Sequence, residues 1–411
     1  MENEIIVGLD LGTTKVCAAV AARDDGGRVK ILGIGRAASE GLTRGVVTNI
    51  DKTVRSIQTA ILEAESVSGV KIQSVVVGIA GEHIQSFQSR GVIAISRPEN
   101  EVTQQDVDRL ITDTKRIALP ADRQIIHVIP QEFIIDGQDG VQDPVGMSCV
   151  RLEANVHIIT GLVTAAQNVQ KCVERAGLHI QDMVLEPLAS SYAVLDDEEK
   201  EVGIALLDIG GGTTDLAVFE DRTIRHTAVI PIAGNQVTND VRKGLGILTD
   251  QAEKLKCQHG FAYVQSVMDD DPIILPGIGG RAPMEIDKKL LAQVIQPRME
   301  EILELAAMEI KRSGYSKHLS AGVVLTGGGS LIKGTAEIAR EVLGMPVKIG
   351  IPSGFSAGLV REISNPIYAT AVGLVLYAMK NKDHALLAMK PGSNGKSKSV
   401  FRKMKEWFDQ L

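Results

Sequence analysis

The chain has 411 residues, 44% hydrophobic and 23% charged, with a net charge of −7. That is enough apolar content for two or three packed cores, and the acidic balance argues against a general nucleic-acid binder. Four cysteines without CxxC spacing exclude a disulfide framework or thiolate metal site and fit a reducing compartment.

No uncharged apolar run reaches the ~20 residues needed to span a bilayer. The acidic start Met1-Glu-Asn-Glu4 lacks the basic region of a signal peptide, so a cytoplasmic protein is expected. Residues 5–20 and 29–36 read as strands, with Gly26-Gly27 as a turn between them. Within the first stretch Asp10, Gly12, Thr13, Thr14 and Lys15 form a tight bend between two apolar runs. Glycine lets backbone approach a ligand, the hydroxyls can donate to phosphate oxygens, and Lys15 can meet them as a point charge. A helix follows, with Asp51 as the expected N-cap and Val54, Ile57, Ile61 and Leu62 as its apolar face. Residues 70–80 are a further strand.

Residues 83–161 read as an inserted unit. Ile84–Ser96 is strand-like, a helix starts from a Thr103 cap with Val107, Leu110 and Ile111 inward, and Arg123–Ile135 and Ser148–Thr160 are strands. Val163–Ala176 is a helix. Asp182–Leu195 is a strand entering another helix, with Glu186-Pro187 at the junction, where proline suits the first turn. A carboxylate there can orient a water toward a phosphate; it can equally be an acid favoured by the helix dipole.

The acidic stretch 196–201 reads as a solvated boundary. Beyond it the N-terminal plan returns over Ile204–Phe219, centred on Asp208, Gly210, Gly211, Gly212, Thr213, Thr214 and Asp215. Asp208 and Asp215 would repel phosphate unless a hard cation such as Mg²⁺ sits between. In this copy an aspartate replaces Lys15. Either copy alone could be a glycine turn with solvated acids; two copies suggest a duplicated fold closing on one nucleotide.

Leu248–His259 reads as a helix on which Glu253 and Lys256 share a face. The pair could meet a ribose and base edge, or be a surface ion pair of almost no consequence. Phe261–Met268 is strand-like, and residues 276–280 a loop. Asp287–Ser313 is a long amphipathic helix with Leu290, Leu291, Val294, Ile302, Leu303, Leu305 and Ala306 inward and Pro297 bending it. Ala321–Thr326 is a strand running into Gly327, Gly328 and Gly329, then a helix to about Leu343, an arrangement suited to close approach of phosphates. A strand at 347–350 and a helix of small residues, among them Ala369, Ala371 and Gly373, complete the body.

Residues 390–399 read as a flexible linker. After it, Val400, Phe401, Met404, Trp407, Phe408 and Leu411 fall in one stripe roughly 120° wide on a helix. From Lys390 onward six Lys/Arg stand against two acids, a local +4. Such a tethered basic amphipathic helix suits anionic lipid headgroups; a helix docked on the protein's own body or on a partner is the alternative.

The three glycine motifs, in this order, resemble the actin/sugar-kinase/heat-shock-chaperone ATPase superfamily. Together with the tail, and over essentially the whole length, the set resembles the FtsA family of bacterial cell-division proteins. The resemblance implies an α/β chain with a duplicated actin-like (ribonuclease-H-like) fold, two halves around a nucleotide cleft, an inserted small α/β subdomain and a C-terminal amphipathic helix. Subdomain 1A would comprise 1–82, 162–197 and 366–385. The insert 1C would be 83–161, 2A 198–240 with 308–365, and 2B 241–307, followed by a linker 386–399 and a membrane-targeting helix 400–411.

The resemblance implies ATP and Mg²⁺ as cofactors, with Asp10 and Asp208 ordering the ion through water. It adds Gly234 and Asn235 near the nucleotide, Glu186 positioning the hydrolytic water, and ribose contacts for Glu253 and Lys256. Any hydrolysis is expected to be slow and to serve as a switch. The implied partners are further copies of the chain in filaments, the C-terminal peptide of the tubulin-like FtsZ near Arg298, anionic lipids and later division proteins, with no nucleic acid. The implied place is the cytoplasmic face of the inner membrane at the septum, peripherally bound. The competing readings are a pilus-assembly or rod-shape actin-like membrane protein, and a small-molecule kinase of the same superfamily.

Overall fold

A computed structural model describes residues 5–387 except 25, 98, 269–271, 278–281 and 357–359. The expected linker and the stripe Val400, Phe401, Met404, Trp407, Phe408 and Leu411 lie outside the described residues.

Two five-stranded sheets share one topology. The first has the order His179–Leu185, Ser74–Ile79, Ile6–Leu11, Lys15–Arg23, Val29–Ala38. The second has the order Val347–Ile349, Val323–Thr326, Ile204–Ile209, Thr214–Glu220, Thr223–Ile230. In each, the first three strands in sequence form an antiparallel meander, and two later strands add in parallel on its open side. The central strands Ile6–Leu11 and Ile204–Ile209 are buried almost throughout, which is why they read as near-continuous apolar runs.

The helix Ile50–Ser68 covers the first sheet, and Lys288–Arg312 packs in the core of the second half. The two halves meet through Glu186–Val194 and the helix Ala369–Leu387, which share one buried cluster with both sheets. At their crossing Gly373 is obligatory, because a Cβ there would lie 2.0 Å from the Ala189 carbonyl oxygen. We call Ala369–Leu387 the hinge helix.

The insert is a separate antiparallel sheet, Gln85–Ala94, Arg151–Leu162, Arg123–Ile135, Gln138–Val141, covered by the helix Gln104–Thr114 over its own core. It leans on the second half. Gln131 Nε2 donates to the carbonyls of Ile224 (2.9 Å) and Arg225 (3.1 Å), and Ser86 Oγ donates to that of Thr227 (3.0 Å).

Several sequence expectations need correction. The N-cap of Ile50–Ser68 is Asn49, whose side chain accepts from the Lys52 amide at 3.0 Å; Asp51 lies inside the first turn and pairs with Arg175 at 2.7 Å. Leu62 (63% exposed) and Leu290 (47%) point outward, and Ile295 and Met299 take inward places. Residues Asp197–Val202 form a short helix, because Asp196 and Glu199 make a reciprocal capping box. The stretch 261–268 is a 3₁₀ turn at Val264–Ser266 with one bridge from Phe261 to Lys333, since no neighbouring strand is there to pair with it. After Gly327 the chain first makes a 3₁₀ turn, Gly328–Leu331, and the helix is Thr335–Leu343. Among the described residues no helix is long and apolar enough to cross a membrane.

Candidate functional site

The two hairpin turns face each other. Built onto Gly211, a Cβ would lie 2.2 Å from Thr14 Cγ2; built onto Gly212, it would lie 2.6 Å from Thr13 Oγ1. Only glycine allows the walls this close. The cavity between them holds about 280 Å³. Asp10, Gly12, Thr13, Thr14 and Lys15 line one side, and Asp208, Gly210, Gly211, Gly212, Thr213 and Asp215 the other. Gly234, Asn235, Glu253, Lys256, Gly327, Gly328, Gly329 and Glu186 complete it.

One residue named from the sequence for the cleft stands outside it. Thr214 is fully buried, and its hydroxyl donates to the Ile232 carbonyl at 2.8 Å; strand alternation turns it away from the cavity lined by Thr213. Arg298, expected from the resemblance at a partner contact, lies outside the cavity and is held by Asp240 at 2.6 Å and by Glu301. The strand register also corrects the comparison of the hairpins. Asp208 pairs with Asp215, whereas Asp10 pairs with Cys17, so Cys17 occupies the position of the later aspartate and Lys15 that of Thr213.

Charge in the cavity is unbalanced. Five carboxyls (Asp10, Glu186, Asp208, Asp215, Glu253) face two lysines, a net −3 if all of them ionise. Lys15 is bound to Asp10 at 2.8 Å, and despite its burial Asp10 holds its ammonium above the usual lysine range. Lys256 is bound to Glu253 at 2.7 Å and donates to the Gly234 carbonyl (3.1 Å) and to Thr238 Oγ1 (2.9 Å). Glu253 also accepts from Thr238. Against the upward push of burial, Lys256 holds the Glu253 carboxyl below its usual range.

The other acids have no cation of their own. Asp208 accepts only hydroxyls, from Ser190 (3.0 Å) and Thr370 (3.3 Å), and burial raises it to about 6. Asp215 accepts from Thr213 at 3.0 Å, and burial together with Asp208 raises it to about 7. The Oδ1 of Asp215 is buried with no partner. Glu186 is raised well above the carboxylate range by burial and by Asp10, Asp215 and Asp208 around it. A cavity so charged would reject a bare anion and suits one that carries a hard cation. Among the described residues no three His, Cys, Asp or Glu side chains are placed to hold a metal ion directly.

Ser190, Thr370, Thr238 and Cys257 belong to this site and were not singled out from the sequence. Both hydroxyls of Ser190 and Thr370 lie in buried stretches of their helices, where a polar group needs a partner.

This topology, two meander-plus-parallel sheets closing on a shared cleft, is the actin-like fold. The chain covers 91% of its length against 98% of a PilM chain in the PilM-PilN type IV pilus biogenesis complex, with a TM-score of 0.67 and 16% identity. It covers 94% against 99% of MreB5 of Spiroplasma citri bound to ADP, with a TM-score of 0.57 and 16% identity. Residues 205–373 match the family described as "Cell division protein FtsA", and residues 81–160 the "SHS2 domain inserted in FTSA". The chain is 45% identical over 409 residues to the cell division protein FtsA of Pseudomonas aeruginosa, covering 98% of this chain and 97% of that one. Against FtsA of Escherichia coli K12 it is 40% identical over 387 residues, 92% and 91% of the two chains. The chain belongs to the FtsA family of actin-like cell-division proteins.

Proposed function

We propose that this chain binds ATP with Mg²⁺ in the cleft and uses the bound nucleotide as an assembly switch on the membrane. The observation that carries the reading is the close approach of Gly211 and Gly212 to Thr14 and Thr13, which sets two glycine turns against one acidic cavity. The triphosphate would lie between the turns. Asp10 and Asp208 would order the cation through its waters, and the cation would balance the excess negative charge. Glu253 and Lys256 would face the ribose, with Gly327 to Gly329 and Gly234-Asn235 beside the nucleotide. Glu186 would place the hydrolytic water. That MreB5 of Spiroplasma citri is described bound to ADP and to AMPPNP supports the nucleotide assignment by likeness of fold.

The remaining parts follow the family. The chain would polymerise on the cytoplasmic face of the inner membrane, with the insert making protomer contacts. The basic stripe at 400–411 would hold it peripherally to anionic lipid. The body would tether FtsZ filaments through their C-terminal peptide and help recruit later division proteins.

Calorimetric titration with Mg-ATP tests the first part: Gly211→Val binds at least roughly tenfold more weakly than the wild type. Equal binding by both would remove the nucleotide from the cleft. Co-sedimentation with anionic liposomes tests the second: Trp407→Glu with Phe408→Glu leaves the protein in the supernatant. Unchanged pelleting would sink the anchor.

A further inference from the structure

Farther along the hinge helix, ten residues past Thr370 and roughly 15 Å along its axis, a second cavity of about 250 Å³ opens. Arg23 of the first sheet, Lys200 at the start of the second half and Lys380 of the hinge helix converge on it, with Asp197 as the one acid in its lining. Lys200 and Lys380 set two cations against that one carboxylate, and Arg23, whose guanidinium donates to the Gly27 and Met379 carbonyls, adjoins them, so the lining is basic where the cleft is acidic.

Lys200 is the informative residue. It is 6% exposed, yet among the described residues its Nζ has no hydrogen-bond or ion-pair partner. It meets only ring faces, 4.9 Å from the Tyr192 centroid and 5.6 Å from that of Phe219. Lys380 Nζ stands over the same Tyr192 ring at 5.5 Å, and its nearest carboxylate, Asp197, is 3.8 Å away. Burial pulls the Lys200 ammonium down to about 8, against the attraction of Asp197, and Lys380 adds to the fall. Ring faces offset part of the desolvation of a buried ammonium, but a directly bonded anion offsets more. With no acid bonded to it, the Lys200 ammonium is left to the cavity that it lines, where an anion can reach it.

We propose that this cavity is a binding site for a phosphate group, with Lys200 as its principal contact and Lys380 and Arg23 at its rim. Because Arg23, Lys200 and Lys380 belong to different parts of the body, an occupying phosphate ties the first sheet, the second half and the hinge helix together.

The test is calorimetric titration of inorganic phosphate into the full chain, with and without saturating Mg-ADP. The expected result is one site whose heat is the same in both conditions. It weakens on the order of tenfold in Lys200→Met and severalfold in the exposed Lys380→Met, with the thermal midpoint of each variant tracked beside it. Glycerophosphoglycerol, a soluble phosphodiester headgroup, separates the sources. If it displaces phosphate at lower concentration, the occupant is a lipid headgroup; if it does not, the occupant is a soluble phosphate or phosphomonoester. The proposal falls if no heat appears at tens of millimolar phosphate, if neither substitution changes the affinity, or if Mg-ADP abolishes the heat and so places the phosphate in the cleft.

Discussion

The two hairpins that face each other across the cleft share register and topology but not chemistry. Asp10 has Lys15 2.8 Å away, so the first wall balances itself. Asp208 and Asp215 have only hydroxyls, and both are raised by burial. The first turn carries two threonines where the second carries glycines, and each Thr fills the space a Gly leaves. Duplication supplied the placement of the turns. Substitution within them made one wall complete and left the other short of positive charge.

The sharpest way to break this comparison is Glu186, which feels both walls. If it positions the water, Glu186→Gln lowers whatever ATP turnover the chain has by about 10²-fold or more, with nucleotide affinity nearly unchanged. Loss of affinity without loss of turnover would contradict the role. Next in size is Gly211→Val, whose side chain must push Thr14 aside; overpacking of about 1–3 kcal/mol predicts roughly a tenfold or greater loss in Mg-ATP affinity. Moving the same change to Gly177, where a Cβ would meet nothing within 4 Å, should leave affinity untouched and cost only stability, through its left-handed φ of +86°.

A smaller effect sharpens the electrostatic half of the comparison. The folded carboxyls of Asp208 and Asp215 hold protons to about 6 and about 7, against about 3.9 in an unfolded chain. The folded state therefore binds more protons across that window, and stability without a bound cation falls as pH rises through it. The thermal midpoint of the nucleotide-free protein should drop by a few degrees between pH 5 and pH 8, and Asp215→Asn should flatten the slope. Parallel slopes for the two proteins would remove Asp215 as the cause. Smallest of all, Asn49→Ala should lose about 1 kcal/mol of stability in chemical denaturation, and Asp51→Ala less, because only Asn49 caps the helix.

What could be read from the sequence was the part written in backbone chemistry. Glycine between buried strands, beside acids and threonines, has few uses, so the turns and the strands around them stood out. Side-chain orientation was harder. Thr213 and Thr214 look alike in sequence, but alternation sends one into the cavity and the other to the Ile232 carbonyl. Leu62 and Leu290 fit a helical stripe yet face outward, since the covering layer does not extend over them. Asn49 and Asp51 are both good caps, and only the backbone extension at Asn49, with φ −147°, decides between them. Ser190 and Thr370 come together from positions 180 residues apart, a pairing no local pattern carries.

The crossing at Gly373 has a mechanical consequence. Ala189 abuts it through bare backbone, and the adjoining Ser190 and Thr370 both grip the Asp208 carboxylate. At that point no side chain stands between the two helices, while farther along them Tyr192 and Tyr377 meet edge to face with centroids 5.4 Å apart. Anything that drew on the Asp208 carboxylate would therefore pull on both helices at once, through Ser190 on one and Thr370 on the other.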